Sequence, residues 1–154
     1  MKRAFAYIDL QMHIFITGVG GFLGSSLADF YLKKGFKVSG NDTLLGGLLE
    51  NIDPKVNFYQ YDCEDISKNN KLYKDVDVVI HAAAFAHEGL SVFSPYLITK
   101  NILAGSVSVF SAAINNKVKR VVYCSSMARY GNIEQPFDES DIPNPIDPYG
   151  IAKL

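Results

Sequence analysis

The chain has 154 residues, enough for one core, and its 48% hydrophobic and 20% charged content is that of an ordinary globular domain. Fifteen Lys and Arg balance sixteen Asp and Glu for a net charge of −1. With the basic residues scattered, the composition excludes a nucleic-acid interface and a docking patch for acidic membranes, and no apolar run is read as the roughly 20 residues of a membrane span.

The two cysteines, Cys63 and Cys124, stand far apart in no metal-ligand spacing and read as reduced core residues of a cytoplasmic protein. Residues 1–11 carry Lys2 and Arg3 ahead of a short apolar stretch that Asp9 interrupts. They make a poor secretion signal and are expected to be a dispensable extension or the product of an upstream start codon.

From residue 12 the elements follow in order. Ile14-Phe15-Ile16-Thr17 is an apolar, β-branched strand that stops at Gly18-Val19-Gly20-Gly21, and Leu23, Leu27 and Phe30/Tyr31 then recur at helical spacing. A glycine turn between strand and helix lets a backbone approach a pyrophosphate and aims free helix N–H groups at its charge. The spacing, Gly18-x-x-Gly21-x-x-Gly24, only approximates the usual dinucleotide fingerprint, and a tight turn without a ligand would look the same. Gly35 ends the helix after Lys33 and Lys34. A second strand, 36–39, runs into Gly40-Asn41-Asp42, and 43–55 reads as a loop with at most one short helix. A third strand covers 56–61, 64–75 is polar and weakly helical, and 76–81 is a fourth strand leading into Ala82-Ala83-Ala84. A long helical region spans 95–115, with Leu97, Ile98, Ile102, Val109 and Ala113 on one face. A fifth strand, 120–124, meets Ser125-Ser126, and 132–147 is a Pro-, Asp- and Asn-rich loop. Asp147-Pro148 then starts a last helix, with Asp as N-cap and Pro at the first helical position.

Strands alternating with helices predict an α/β fold, a doubly wound parallel sheet of about five strands. Ligands of such sheets bind beyond the strand C-termini. Gly18 to Gly24, Asp42, Asp62, Ala82 to Ala84 and Ser125-Ser126 all fall there. Asp42 suits both hydroxyls of an adenosine ribose and repels a 2′-phosphate, favouring NAD over NADP, although a turn-forming Asp fits the same place. Asp62 is placed to reach an adenine amine or to cap the following segment. The small Ala82, Ala83 and Ala84 either admit a flat cofactor or begin a helix. His81 reads as a packed, hydrogen-bonded residue, His87 and Glu88 as candidate substrate contacts, and His13 carries no implied role. Ser126 either contacts a reacting oxygen or caps a turn.

Tyr149 and Lys153, at i and i+4, share one face of the last helix. A free tyrosine has a pKa of ~10, so forming its phenolate at neutral pH costs about 4 kcal/mol. A nearby ammonium offsets much of that cost, and such a pair can take a proton from an alcohol.

Together these residues resemble the NAD-dependent nucleotide-sugar epimerase/dehydratase family of the extended short-chain dehydrogenases/reductases. The matching stretches are Thr17-Gly18-x-x-Gly21-Phe22-Leu23-Gly24, Asp42, Asp62, His81-Ala82-Ala83-Ala84, Asn101 with Gly105, Ser125-Ser126-Met127-Ala128-Arg129-Tyr130-Gly131 and Pro148-Tyr149-Gly150-Ile151-Ala152-Lys153. They run through residues 12–154 in the family's order. The resemblance implies a Rossmann fold with NAD held by Gly18, Gly20, Gly21, Phe22, Leu23, Gly24, Asp42, Asp62, Cys63, Ala82, Ala83, Ala84, Asn101, Tyr149 and Lys153. Ser126, Tyr149 and Lys153 become the catalytic triad, and no metal is implied.

Dehydratases of this family carry Asp-Glu where this chain has Met127-Ala128, so the resemblance points to the 4-epimerase branch of the UDP-glucose/UDP-galactose type. By analogy, Tyr149 deprotonates the sugar 4-hydroxyl, and a 4-keto sugar turns over before reduction on its other face. A UDP-sugar substrate and a homodimeric full-length enzyme follow from the same analogy. Family members continue into a substrate domain beyond the Tyr149 helix. The chain is therefore expected to be an incomplete cofactor domain, 12–154, without turnover by itself. The competing readings are a dehydratase or ketoreductase with the same triad, an NADP-dependent reductase, and a non-catalytic NAD-binding module.

Overall fold

The computed structural model describes residues 12–154 except His87. The reading of 1–11 as an extension and of His87 as a substrate contact lies outside the described residues. Five strands form one parallel sheet: β1 (His13–Thr17), β2 (Lys37–Asp42), β3 (Asn57–Gln60), β4 (Val78–His81) and β5 (Arg120–Tyr123). Their order is β3-β2-β1-β4-β5. The chain thus winds outward from β1 in one direction, then crosses back to β4 on its other side, the Rossmann arrangement with its switch point between β1 and β4.

Both faces of the sheet are covered at its central strand, so all five residues of β1 are buried. Alternation along β1 sends Ile14 and Ile16 to one side, where they meet Val19, Ala28, Phe36, Val38 and Ile80. Phe15 goes to the other side, against Ile66, Tyr73, Val79, Val109 and Ala112. Each such side chain removed from water contributes about 1.5–3 kcal/mol. A third cluster joins Ile98, Ile102, Ala128, Tyr149 and Ala152.

Helix α1 (Phe22–Lys33) packs on the first side, but through Gly24 and Ala28. Of the residues at helical spacing, Leu27 and Tyr31 pack on this core, whereas Leu23 and Phe30 are exposed, because the two small residues let the helix lie close to β1. Loop 43–55 holds a single 3₁₀ turn at Leu49–Asn51, and 64–75 forms two, Cys63–Lys68 and Asn70–Tyr73. A short helix α2 (Glu88–Ser91), which Glu88 opens, precedes the long helical region.

That region, Pro95–Asn115, is 21 residues long and apolar enough by composition to cross a membrane, contrary to the sequence reading. It divides into α3 (Pro95–Thr99), a π turn (Lys100–Ala104) and α4 (Gly105–Asn115). Ile98, Ile102, Val109 and Ala113 face inward as expected, but Leu97 is half exposed. The final helix, α5 (Pro148–Lys153), starts as predicted: Asp147 accepts a hydrogen bond from Gly150 N at 2.9 Å. Val121 and Val122 of β5 are exposed at the sheet edge.

Candidate active site at the switch point

A cleft of about 300 Å³ opens where the C-terminal ends of β1, β2 and β4 meet. Its lining includes Gly18, Gly21, Asp42, Asp62, Cys63, Ala82, Ala83, Ala84 and Asn101, so nine of the residues singled out in the sequence converge on it. Asn41, Thr43, Gly46, Gly47, Tyr61, Phe85 and Ala86 also line it and escaped the sequence reading. Gly46-Gly47 gave a turn signal, but nothing in the sequence says that this loop folds back over the cleft.

The glycine turn is built by backbone alone. Gly18 N and Val19 N both donate to the Asn41 carbonyl, at 2.8 and 3.1 Å, and Gly21 N donates to the Gly18 carbonyl at 3.0 Å. Gly18 has φ +70°, and a Cβ there would come within 2.8 Å of Ala83 Cα. Both the backbone conformation and the space therefore require glycine. A Cβ on Gly24 would overlap the Gly18 carbonyl, so this glycine sets the close approach of α1 to the turn. No side chain caps the first turn of α1 and no acidic residue lies in it, an arrangement that favours an anion there.

Gly20 acts one step removed from the cleft. Its N–H donates to Asp42 Oδ2 at 2.9 Å. Its carbonyl accepts from Leu48 N at 3.0 Å and from Asn51 Nδ2 at 3.1 Å, which latches loop 43–52 onto the turn. Asp42 Oδ1 accepts from Leu44 N at 2.8 Å, so the turn-forming alternative and the cleft-lining one hold together. Each carboxylate oxygen can accept more than one hydrogen bond, which leaves capacity for a ligand hydroxyl. Asp62 likewise caps a turn, accepting from Glu64 N at 2.9 Å, and still lines the cleft. Phe22, 91% exposed, and Leu23 do not line it.

Ala82 to Ala84 run as irregular backbone, not a helix start. Two side chains pin this wall: Thr17 Oγ1 accepts from Ala83 N at 3.1 Å, and Asn101 Oδ1 accepts from Phe85 N at 3.0 Å. Cys63 is buried beside it, with Asn41 Nδ2 3.5 Å from its sulfur. Burial pushes the Cys63 thiol up to about 11, so it serves as wall, not nucleophile. Both cysteines are free, and Cys124 is only half buried.

Ser126, Tyr149 and Lys153 do not line this cleft; of the three, Tyr149 adjoins it. Ala84 and Phe85 pack against the cluster that contains Tyr149. Ser126 caps the 3₁₀ turn Met127–Tyr130, accepting from Ala128 N at 3.1 Å, which leaves its own O–H to donate. Tyr149 and Lys153 are both buried on α5. Lys153 Nζ donates to the Cys124 carbonyl at 2.7 Å and sits 5.1 Å from the Tyr123 ring centroid. Burial lowers the Lys153 pKa from its ordinary value.

Comparison with known proteins agrees with this geometry. Residues 14–154 match the model of the NAD dependent epimerase/dehydratase family. A UDP-glucose 4-epimerase of Lactobacillus helveticus is 35% identical over 93% of this chain and 44% of its own length. The UDP-glucose 4-epimerase of Thermotoga maritima, solved with UDP-glucose, superposes with a TM-score of 0.87 at 34% identity, over 92% of this chain and 48% of that one. A dTDP-glucose 4,6-dehydratase of Streptomyces venezuelae, solved with NAD, superposes with a TM-score of 0.85 at 27% identity, again over 92% and 48%. The chain thus spans about half the length of the relatives it matches. On the family match and the shared fold, this chain belongs to the NAD dependent epimerase/dehydratase family.

Proposed function

We propose that the protein is a nucleotide-sugar 4-epimerase that uses NAD and acts on a UDP-sugar, with this chain as its cofactor domain. The observation that carries the reading is the junction at Ala84 and Phe85, which line the cleft on one side and pack on the Tyr149 cluster on the other. The residues present fit a dinucleotide. The bare backbone of Gly18 and Gly21 suits a pyrophosphate, and Asp42 suits an unphosphorylated adenosine ribose. Asp62, Cys63 and the alanine wall suit the flat base, and the family resemblance assigns the second ribose to Lys153. NAD, when bound, supplies a reversible hydride acceptor.

The chain's own residues then handle the proton. Tyr149 takes it from the sugar 4-hydroxyl, the Lys153 ammonium favours the phenolate that makes this possible, and Ser126 donates to the reacting oxygen. The likeness of relatives named UDP-glucose 4-epimerase supports a UDP-sugar. A homodimer belongs to the same proposal, with the exposed apolar side chains of Tyr96, Leu103 and Val107 on the helical face available for pairing. The dehydratase likeness favours one other reading, a 4,6-dehydratase with the same triad. Incubating the full-length protein with UDP-galactose and identifying the product by NMR tests both. UDP-glucose as product, lost in Tyr149→Phe, supports the epimerase, and a 4-keto-6-deoxy sugar from a nucleotide-glucose supports the dehydratase. No change in any nucleotide sugar would overturn both.

A further inference from the structure

His81, at the end of β4, is 2% exposed. Its Nδ1 is 2.7 Å from Thr17 Oγ1 and its Nε2 is 2.9 Å from Ser106 Oγ. The direction of each bond follows from the ends of the chain. Ser106 Oγ donates to the Ile102 carbonyl at 2.6 Å, so it has no proton for His81 and must accept from Nε2–H. Thr17 Oγ1 already accepts from Ala83 N, which leaves its own proton for Nδ1. With the Ser106 bond to Ile102 and the Ala83 bond to Thr17 in place, the neutral ring with its proton on Nε2 satisfies both hydroxyls.

On its other side, Cys124 N donates to the His81 carbonyl at 3.1 Å, while the Cys124 carbonyl accepts from Lys153 Nζ. The Tyr123 ring stacks on the imidazole, with centroids 5.6 Å apart and planes at 24°. Lys153 and Tyr123 are the titratable neighbours that face it from α5 and β5. Burial and then the Lys153 charge push its pKa down, to about 4, while burial raises that of Tyr123.

We propose that His81 is a positioning residue: as a neutral imidazole protonated on Nε2, it fixes the Thr17 hydroxyl that holds the Ala83 wall and gives the Lys153 ammonium an uncharged neighbour. Its role in cofactor binding rests on the reading that the cleft takes NAD.

The test has two arms on the full-length protein. Ring ¹⁵N NMR should find His81 in the Nε2–H form and neutral from pH 8 to pH 5. An Nδ1–H form, or titration near the ordinary histidine value, would overturn the proposal. In the second arm, NAD affinity is measured for Thr17→Val, His81→Phe and the double variant. Each single change should weaken NAD roughly tenfold, and the double no further, because both break one chain of hydrogen bonds. Additive losses, or unchanged affinity in His81→Phe, would overturn it. Should His81→Phe fail to fold, His81→Leu removes both ring nitrogens with a smaller side chain, and the same loss is expected of it. No NAD binding by the unaltered protein would overturn the cofactor reading, whereas the ring assignment decides the tautomer independently.

Discussion

Lys153 Nζ donates to the carbonyl oxygen of Cys124 at 2.7 Å, joining the last turn of α5 to the end of β5. A lysine only 3% exposed spends one of its three donors on the backbone, and that bond fixes where its charge sits. Replacing the ammonium without emptying its site separates charge from packing. Lys153→Met should leave the fold intact while lowering turnover of a UDP-sugar by about 10²–10⁴-fold, the usual scale for losing proton-transfer assistance. Steady-state kinetics of the full-length protein, with circular dichroism as the check on folding, reads both quantities.

The glycine turn makes a prediction about stability that needs no ligand. A Cβ on Gly24 would overlap the Gly18 carbonyl, whereas a Cβ on Gly46 would meet nothing within 4 Å. Gly24→Ala should therefore destabilise by about 1–3 kcal/mol or more, and Gly46→Ala should stay within about 0.5 kcal/mol of the parent. Urea unfolding of the two variants side by side checks the contrast, and equal losses would contradict it.

Asp42 joins selectivity to loop structure, because its two oxygens accept from Gly20 N and Leu44 N. Asp42→Ala leaves both N–H groups without that partner and should cost about 1–3 kcal/mol of stability. It should also narrow the preference for NAD over NADP by at least roughly tenfold, since the charge that repels a 2′-phosphate is gone. Parallel binding titrations of the two dinucleotides give the ratio.

Acid should weaken the fold through its buried histidines. In the unfolded chain histidine titrates near 6.5, while in the fold burial holds His81 down to about 4. Between those values the unfolded state carries the extra proton, so falling pH favours it; above 6.5 both states are neutral and the group contributes nothing. His81 should therefore cost about 3 kcal/mol of stability as pH falls from about 6.5 to about 4. His13 adds in the same direction, lowered first by burial and then by Lys37, against partial opposition from Asp75 and Asp77. Denaturant unfolding across this range should show the slope, and His81→Gln should flatten it.

Much of this arrangement was legible because local chemistry and fold agreed. The β-branched run 14–17 ending at glycine, and Asp147-Pro148 opening α5, are signals whose physics is local, and both elements formed where expected. The inward face of α1 was half legible: of the apolar spacing, Leu27 and Tyr31 pack on the core, but Leu23 and Phe30 are exposed and the closest packing is through Gly24 and Ala28. Side-chain size at a close contact is a tertiary matter that periodicity does not carry. Asp42, Asp62 and Ser126 were each offered as ligand contact or turn former; all three form the turn, and Asp42 and Asp62 also line the cleft. The Thr17–His81–Ser106 chain joins residues distant in sequence, so no single window could reveal it.

Calorimetric titration of the full-length protein with NAD and with NADP tests the central claim most directly. The cleft beside the glycine turn, with Asp42 at its rim, predicts one NAD bound per chain and weaker binding of NADP. NADP binding as tight as NAD, or no binding of either, would contradict it.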